Sequence, residues 1–469
     1  MSLMRSCNIS LIFFLVITSL CYSSAHAEQK ALLVGVGEYQ LPGKDLPGID
    51  VDLLFVQESL ELIGFKEHQI RTIANKNATY ENIKREFTGW LSEDIESDDR
   101  VVFYFSGHGT RIFDNNGDEP DRADEVLMSY DTKIVKDSKN RTTLSNVVVD
   151  DDLAVWIENL PSDNVYIFID ACNSGTATRS TFLTNKSLGI DQAKFKFFHY
   201  EGMPKVEEGI IEKSFLTRDI INENYVSLSA TQDHEKALST NVGSYFTLGI
   251  HESIRNAVNS SEPLSMKDIQ SDAQSFIKDR VSKNLVFHPN LAGSTALSNE
   301  QFGLIKINNG YGPTWKRIDK LSTSGKYLPV KLNKKKYAID DEISIEFDSP
   351  VNGYVNIVAI DSIDQSVILY PNQFTTNNRI NKGKSIIPGN GENFELLAAD
   401  PTGPMLIAVF ISTTPVNLYH LTTNDRNEDG TIETAFSSLS AIGTNAISNI
   451  AKSVKRENFY TASSVVKVQ

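Results

Sequence analysis

Between Lys30 and about Gly310 the sequence alternates short unbroken apolar runs with segments of helical period, and that alternation leaves few folds open. The runs are ALLVGV (31–36), HQIRTI (68–73), RVVFYFS (100–106), NVYIFID (164–170) and YVSLSA (225–230). They are continuous and rich in Val, Ile, Phe and Tyr, the composition of strands covered on both faces. Between them Leu53, Val56, Leu60 and Ile63 share one helical face, as do Tyr80, Ile83, Phe87 and Leu91, then Leu153, Trp156 and Leu160. Strand alternating with helix predicts an α/β domain with a mostly parallel sheet sandwiched by helices.

After Gly310-Tyr311-Gly312-Pro313 the period changes. DEISIEF (341–347), GYVNIVAI (353–360), SVILYP (366–371), NFELLA (393–398) and PMLIAVFIS (404–412) are short and separated by Pro, Gly and Asn. This pattern predicts an all-β, sandwich-like domain. The expected organisation is a leader over 1–27, the α/β domain over 28–310, a linker over 311–328, the β domain over 329–424 and a tail over 425–469. The tail, with Ile447, Ile450 and Val454 at helical spacing, reads as an appendage.

The leader has Arg5, an apolar run from Ile9 to Tyr22 and the small-residue site Ala25-His26-Ala27. This is the pattern of a secretory signal peptide, and the run is shorter than the ~20 residues a membrane span needs. The sequence therefore predicts a periplasmic or extracellular protein that is not integral to a membrane. Cys7 and Cys21 would leave with the leader, so Cys172 would be the one thiol of the mature chain. A lone thiol in an oxidising compartment is either a reactive group or a buried small hydrophobe. The net charge of −15 argues against nucleic acid and anionic membranes as partners and suits a cationic substrate.

Two sharp motifs follow apolar runs. RVVFYFS leads into Gly107-His108-Gly109-Thr110, and NVYIFID leads into Ala171-Cys172-Asn173-Ser174-Gly175. Ligand sites of open α/β sheets lie beyond the carboxyl ends of strands. If these two strands are neighbours, His108 and Cys172 face each other as a dyad, His108 serving as base and acid to the Cys172 nucleophile. The Gly109 and Cys172 amides are then placed to hold an oxyanion.

SGHGT and DACNSG, together with ALLVGVGEY, LPGIDVDL, SLSATQDHEKA (227–237), SYFTLGI (244–250) and HPNLAG (288–293), resemble the caspase-like cysteine peptidases, specifically bacterial metacaspases. The resemblance spans the first domain. It implies cleavage of protein or peptide substrates after Arg or Lys, with Asp52, Asp170 and Ser106 lining an acidic pocket. It also implies self-cleavage in the stretch holding Arg179, Lys186, Lys194, Lys196, Lys205 and Lys213. GYVNIVAID and LYPNQF resemble a β-rich carboxy-terminal module of unknown function.

The chemistry itself requires no cofactor. Calcium activation, which the family shows, would match Asp124 with Asp150 and Asp151, although the chain reads TATRS, with Arg179, where a further aspartate is often found. Asp150 and Asp151 equally suit the start of a helix. The loop DNNGDEPDRADE (114–125) lacks the turn glycine of a calcium-binding EF-hand, Glu119 standing in its place. In NDRNEDGTI (424–432) the order is right, but Phe436 replaces the bidentate acid. Two other readings stand beside the peptidase: a caspase-clan enzyme cutting after Asn or Asp, and a non-catalytic binding protein that keeps the fold as a scaffold.

Overall fold

In the computed structural model the strands of the first domain are β1 (Gln29–Gly35), β2 (Ile70–Ala74), β3 (Arg100–Ser106), β4 (Gly109–Phe113), β5 (Ala123–Lys136), β6 (Thr142–Val149), β7 (Asn164–Asp170), β8 (Ala193–Phe195), β9 (Tyr225–Ser229), β10 (Leu238–Thr240) and β11 (Asn290–Gly293). Its helices are α1 (Ile49–Leu62), α2 (Tyr80–Arg85), α3 (Asp150–Glu158), α4 (Tyr245–Ser260), α5 (Met266–Arg280) and α6 (Thr295–Asn299). The structure describes residues 28–117, 119, 122–172, 193–205, 224–232, 235–260, 262–281, 286–302, 311–421, 439, 443, 444, 447, 448, 451 and 458–469. The expected leader, Arg179, Lys186, Lys213 and the 424–432 loop lie outside the described residues.

The central sheet runs β11-β9-β7-β3-β1-β2, all parallel except β11, which is antiparallel to β9. Its apolar residues divide by the two-residue period of a strand. Leu33 and Tyr104 face the core shared with α1, α4 and α5, whereas Leu32 and Phe103 face α2, the π-helical turn Glu86–Trp90 that follows it, and α3 through Ile83, Phe87, Leu153 and Trp156. This is the parallel sheet sandwiched by helices that the alternation predicts. HQIRTI differs slightly: Glu67–Gln69 form a 3-10 turn, and the strand starts at Ile70. The antiparallel sheet β4-β5-β6, inserted between β3 and β7, was not anticipated.

Past the first domain come α7 (Pro313–Ser322), β12 (Lys326–Tyr327), β13 (Val330–Leu332), β14 (Lys336–Tyr337), β15 (Ile345–Ser349), β16 (Gly353–Ile360), β17 (Ser366–Tyr370), β18 (Arg379–Ile380), β19 (Gly383–Ile387), β20 (Gly403–Ser412), α8 (Leu418–Leu421) and β21 (Phe459–Val468). A sheet ordered β12-β21-β20-β16-β17 and a smaller one, β13-β15-β19, enclose a core of Ile345, Phe347, Ile357, Val409 and Tyr337. Three expectations need correction here. The 311–328 linker is largely α7, whose Trp315 and Ile318 are buried and whose first amides, those of Thr314 and Trp315, bond the buried Asp364 carboxylate at 2.9 and 2.8 Å. The tail is no appendage, because β21 pairs with β20 over all ten residues. NFELLA buries Phe394, Leu396 and Ala398 yet makes only the isolated bridge Glu342↔Leu397. Alternation there records burial, not a ladder.

The two domains share apolar packing. Val358, Phe410 and Phe459 of the β domain belong to the same core as Phe55 of α1 and Ile254 of α4. Arg317 of α7 meets Glu58 of α1 in a nearly buried ion pair of 3.2 Å.

Candidate active site

β3 and β7 lie side by side with Ser106 opposite Asp170. The residues two places further on, His108 and Cys172, therefore leave the same edge of the sheet from adjacent strands, and both are buried. Gly107 makes that exit passable: a Cβ there would sit 2.9 Å from the Tyr39 hydroxyl and 3.0 Å from the Phe105 ring. The Tyr39 hydroxyl accepts the His108 backbone N–H at 2.7 Å.

The imidazole is oriented by a backbone carbonyl. His108 Nε2 lies 2.8 Å from the Lys44 oxygen. That oxygen can only accept, so Nε2 carries the hydrogen and Nδ1 keeps its lone pair. Nδ1 is buried with no hydrogen-bond partner. Burial lowers the imidazole to about 4, the Lys44 and Lys196 backbones opposing the shift. Cys172 is turned to Ala237, accepting its N–H at 2.7 Å and donating to its carbonyl at 3.6 Å. Burial pushes the thiol up to about 12, with the Ala237 amide pulling the other way. Thiol and imidazole are thus both neutral, and no hydrogen bond joins them here.

Beside them lies the acidic pocket, and it is filled. Asp52, in the first turn of α1, and Asp170, at the end of β7, are fully buried. Between them stands Lys196, also fully buried, whose Nζ is 2.9 Å from Asp170 Oδ1, 3.3 Å from Asp52 Oδ2 and 2.7 Å from Ser106 Oγ. Ser106 in turn donates to Asp52 Oδ2 at 2.8 Å. Ser244 holds Asp52 through its N–H (2.6 Å) and its hydroxyl (2.5 Å). Gly243, at φ +109°, allows this approach, since a Cβ there would come within 3.2 Å of Asp52 Oδ1. Thr247 donates to Asp170 Oδ2 at 2.6 Å and shares a hydrogen bond of the same length with the Tyr104 hydroxyl. Burial raises the Asp52 carboxyl despite the Lys196 charge.

The backbone around Lys196 lies in the cleft as an added strand. β8 pairs antiparallel with β10, Phe195 opposite Leu238, and the next amide, that of Lys196, bonds the Ala237 carbonyl at 3.1 Å. The Lys196 carbonyl accepts the Gly109 N–H at 2.8 Å, and Phe198 N–H returns a bond to the Gly109 oxygen at 2.9 Å. The Lys196–Phe197 peptide therefore rests on the amide that the sequence marks as an oxyanion donor.

The residues considered for calcium, Asp124, Asp150 and Asp151, sit on β5 and at the start of α3. Asp124 and Asp150 are buried, and each has an Oδ1 with no hydrogen-bond partner. Burial, reinforced by Asp150, Asp151 and Asp114, pushes Asp124 up to about 8, and burial also raises Asp150. Asp151 accepts Asn116 Nδ2 at 2.9 Å. Among the described residues no three His, Cys, Asp or Glu form a ready metal-ligand group. No helix among them is long and apolar enough to cross a membrane.

The supporting groups Tyr39, Lys44, Ser244 and Thr247 escaped the sequence reading. Three of them stand inside or beside stretches that carry the resemblance, GVGEY and SYFTLGI, whereas Lys44 acts through its carbonyl, which no side-chain pattern reveals.

Cysteine and histidine after adjacent parallel strands of a sheet sandwiched by helices are the layout of a caspase-like domain. The chain belongs to that family: the model described as "Caspase domain" matches residues 28–285, and one for a domain of unknown function (DUF4384) matches 336–415. Metacaspase-2 of Arabidopsis thaliana is 32% identical over 167 residues, which cover 34% of this chain and 37% of that protein. Metacaspase-1 of Schizosaccharomyces pombe is 22% identical over 302 residues, covering 56% of this chain and 67% of that protein. The chain thus spans well under half of the Arabidopsis relative. Among solved structures, caspase-1 from Spodoptera frugiperda aligns with TM-score 0.36 and 12% identity, over 59% of this chain and 88% of that one.

Proposed function

We propose that this chain is an exported cysteine endopeptidase of metacaspase type that cuts after a basic residue, and that the first bond it meets is its own Lys196–Phe197 bond. The observation that carries this is Lys196, which fills the Asp52/Asp170 pocket while its carbonyl rests on the Gly109 amide. A substrate residue before the cut bond has those same two needs, a charged pocket and an oxyanion donor.

The chemistry follows from the groups present. The Cys172 proton passes to His108 Nδ1 as sulfur bonds to the carbonyl carbon, and the carbonyl oxygen takes the negative charge beside the Gly109 N–H. The carbon–nitrogen bond then breaks, and His108 returns the proton to the leaving amine. Water attacks the thioester, giving a carboxylate and restoring the thiol. For this the thiol must turn from Ala237 toward Nδ1, so the arrangement seen is a latent one.

Calcium fits the second acidic cluster in part. Asp124 and Asp150 carry buried oxygens without partners, the kind of donor a hard cation takes, and Asp151 stands next to them. A bound ion would neutralise these like charges. β5, which carries Asp124, pairs with β4, which begins at Gly109, so the cluster is joined by one ladder to the oxyanion donor.

The full chain and its Cys172→Ala variant should be given fluorogenic peptides ending in Arg, Lys, Asn or Asp, with and without calcium, while the chain itself is followed by mass spectrometry. Cleavage after Arg or Lys and a break between 196 and 197, both lost in Cys172→Ala, are expected. Cleavage confined to Asn or Asp would reject the basic pocket. An inert, intact chain under all these conditions favours the scaffold reading, for which the thiol turned to Ala237 and the unpartnered Nδ1 are the supporting observation.

A further inference from the structure

We propose that the pocket selects lysine over arginine at the residue before the cut bond, and that Ser106, Ser244 and Thr247 impose this choice by deciding which carboxylate oxygens face the cation. The inference rests on the basic-pocket reading given above and narrows it.

An ammonium has three N–H donors in a tetrahedral array; in the pocket Nζ donates to Asp52 Oδ2 and Ser106 Oγ and lies 2.9 Å from Asp170 Oδ1 in an ion pair. The serine hydroxyl has already given its proton to Asp52 Oδ2, so it meets the cation with a lone pair. A guanidinium is planar and gains most from two parallel bonds to both oxygens of one carboxylate. Neither carboxylate presents that fork. Asp52 Oδ1 is taken by the Ser244 N–H, and its Oδ2 already receives the Ser244 and Ser106 hydroxyls. Asp170 turns Oδ1 to the cation while Oδ2 is held by Thr247, itself bonded to Tyr104. The lysine head is completely enclosed, so the larger, flat head of arginine must displace at least one of these hydroxyls.

The test compares one sequence in two settings. In cis, self-cleavage after residue 196 is timed in the full chain and in Lys196→Arg and Lys196→Met. In trans, kcat/KM is measured on peptides identical except for Lys, Arg or norleucine before the reporter. The expected result is lysine at least about tenfold ahead of arginine in both settings, with norleucine and Met not cut. Arginine equal to or ahead of lysine overturns the inference and leaves the basic pocket standing. Norleucine or Met cut as well as lysine overturns both, as does the absence of cutting in either setting. Thr247→Val frees Asp170 Oδ2 and is expected to narrow the lysine-to-arginine ratio. A fall in both rates by the same factor would instead reduce Thr247 to a structural residue and remove it from the proposal.

Discussion

One domain holds two pairs of buried carboxylates, and they are treated in opposite ways. Asp52 and Asp170 enclose a cation from their own chain and are held by Ser106, Ser244 and Thr247. Asp170 Oδ1 makes no hydrogen bond but lies 2.9 Å from the Lys196 ammonium, whereas Asp124 and Asp150 each keep a buried oxygen with no hydrogen-bond partner, and burial drives their carboxyls toward the protonated form. Buried like charges persist only when they are neutralised, by a proton or by a cation. The first pair has its cation built in through Lys196, which fills the pocket. The second pair has a proton or an ion still to take, which makes it the responsive one.

The most severe way to break this contrast is Lys196→Met, which leaves Asp52 and Asp170 buried without a cation. Removing one partner of a buried ion pair costs about 3–5 kcal/mol, so chemical denaturation at pH 7 should show a loss of that order. Because burial raises Asp52, the variant should regain stability as the pH falls and the carboxyl takes a proton. It should also be stabilised by added n-butylammonium, and indifference to both would mean that Lys196 does not neutralise the pair.

His108 extends the contrast to a buried base, since its Nδ1 also lacks a partner. Its folded value of about 4 lies below the ordinary 6.5, so the unfolded chain binds the extra proton between these values. Stability therefore declines as pH drops from 6.5 to 4, by on the order of 3 kcal/mol. Denaturation curves of the parent and of His108→Gln, the latter flatter in this window, check the sign.

The Asp124/Asp150 pair gives the next effect. Asp124 is raised from 3.8 to about 8, so its contribution is present at low pH and fades as pH rises through 8. Melting curves from pH 5 to 9 should show calcium stabilising the parent more at the alkaline end. Asp124→Asn should melt a few degrees above the parent at pH 8 without calcium and lose the calcium response. An unchanged calcium response in that variant would discard Asp124 as a ligand.

Ser244→Ala is the mildest change, because the backbone N–H to Asp52 survives and one hydroxyl bond is lost. A destabilisation of about 1 kcal/mol is expected. A loss as large as that of Lys196→Met would show that the hydroxyl, and not the lysine, carries the pocket.

The legible part of the molecule was local. Four of the runs fell on the inner parallel strands β1, β3, β7 and β9 because doubly covered strands need unbroken apolar sequence, the fifth fell on the partly exposed edge strand β2, and His108 and Cys172 were marked by glycines and strand ends. β21 was missed because Thr461, Ser463 and Ser464 break up its apolar residues, and pairing with β20, β12 and β14 makes it a strand. β5 was missed because its sheet is antiparallel and inserted, with Asp124 and Glu125 inside the apolar pattern.

The sequence by itself determined the parallel strands and marked Cys172, His108 and the acidic residues nearby, since each depends on residue type and short-range order. Which cation lies between Asp52 and Asp170, which nitrogen of His108 is bare, and which carboxylate oxygens make no hydrogen bond were decided by the tertiary structure alone. Those answers depend on backbone groups and side chains brought together from positions up to 192 residues apart, and no spacing along a chain encodes such a meeting.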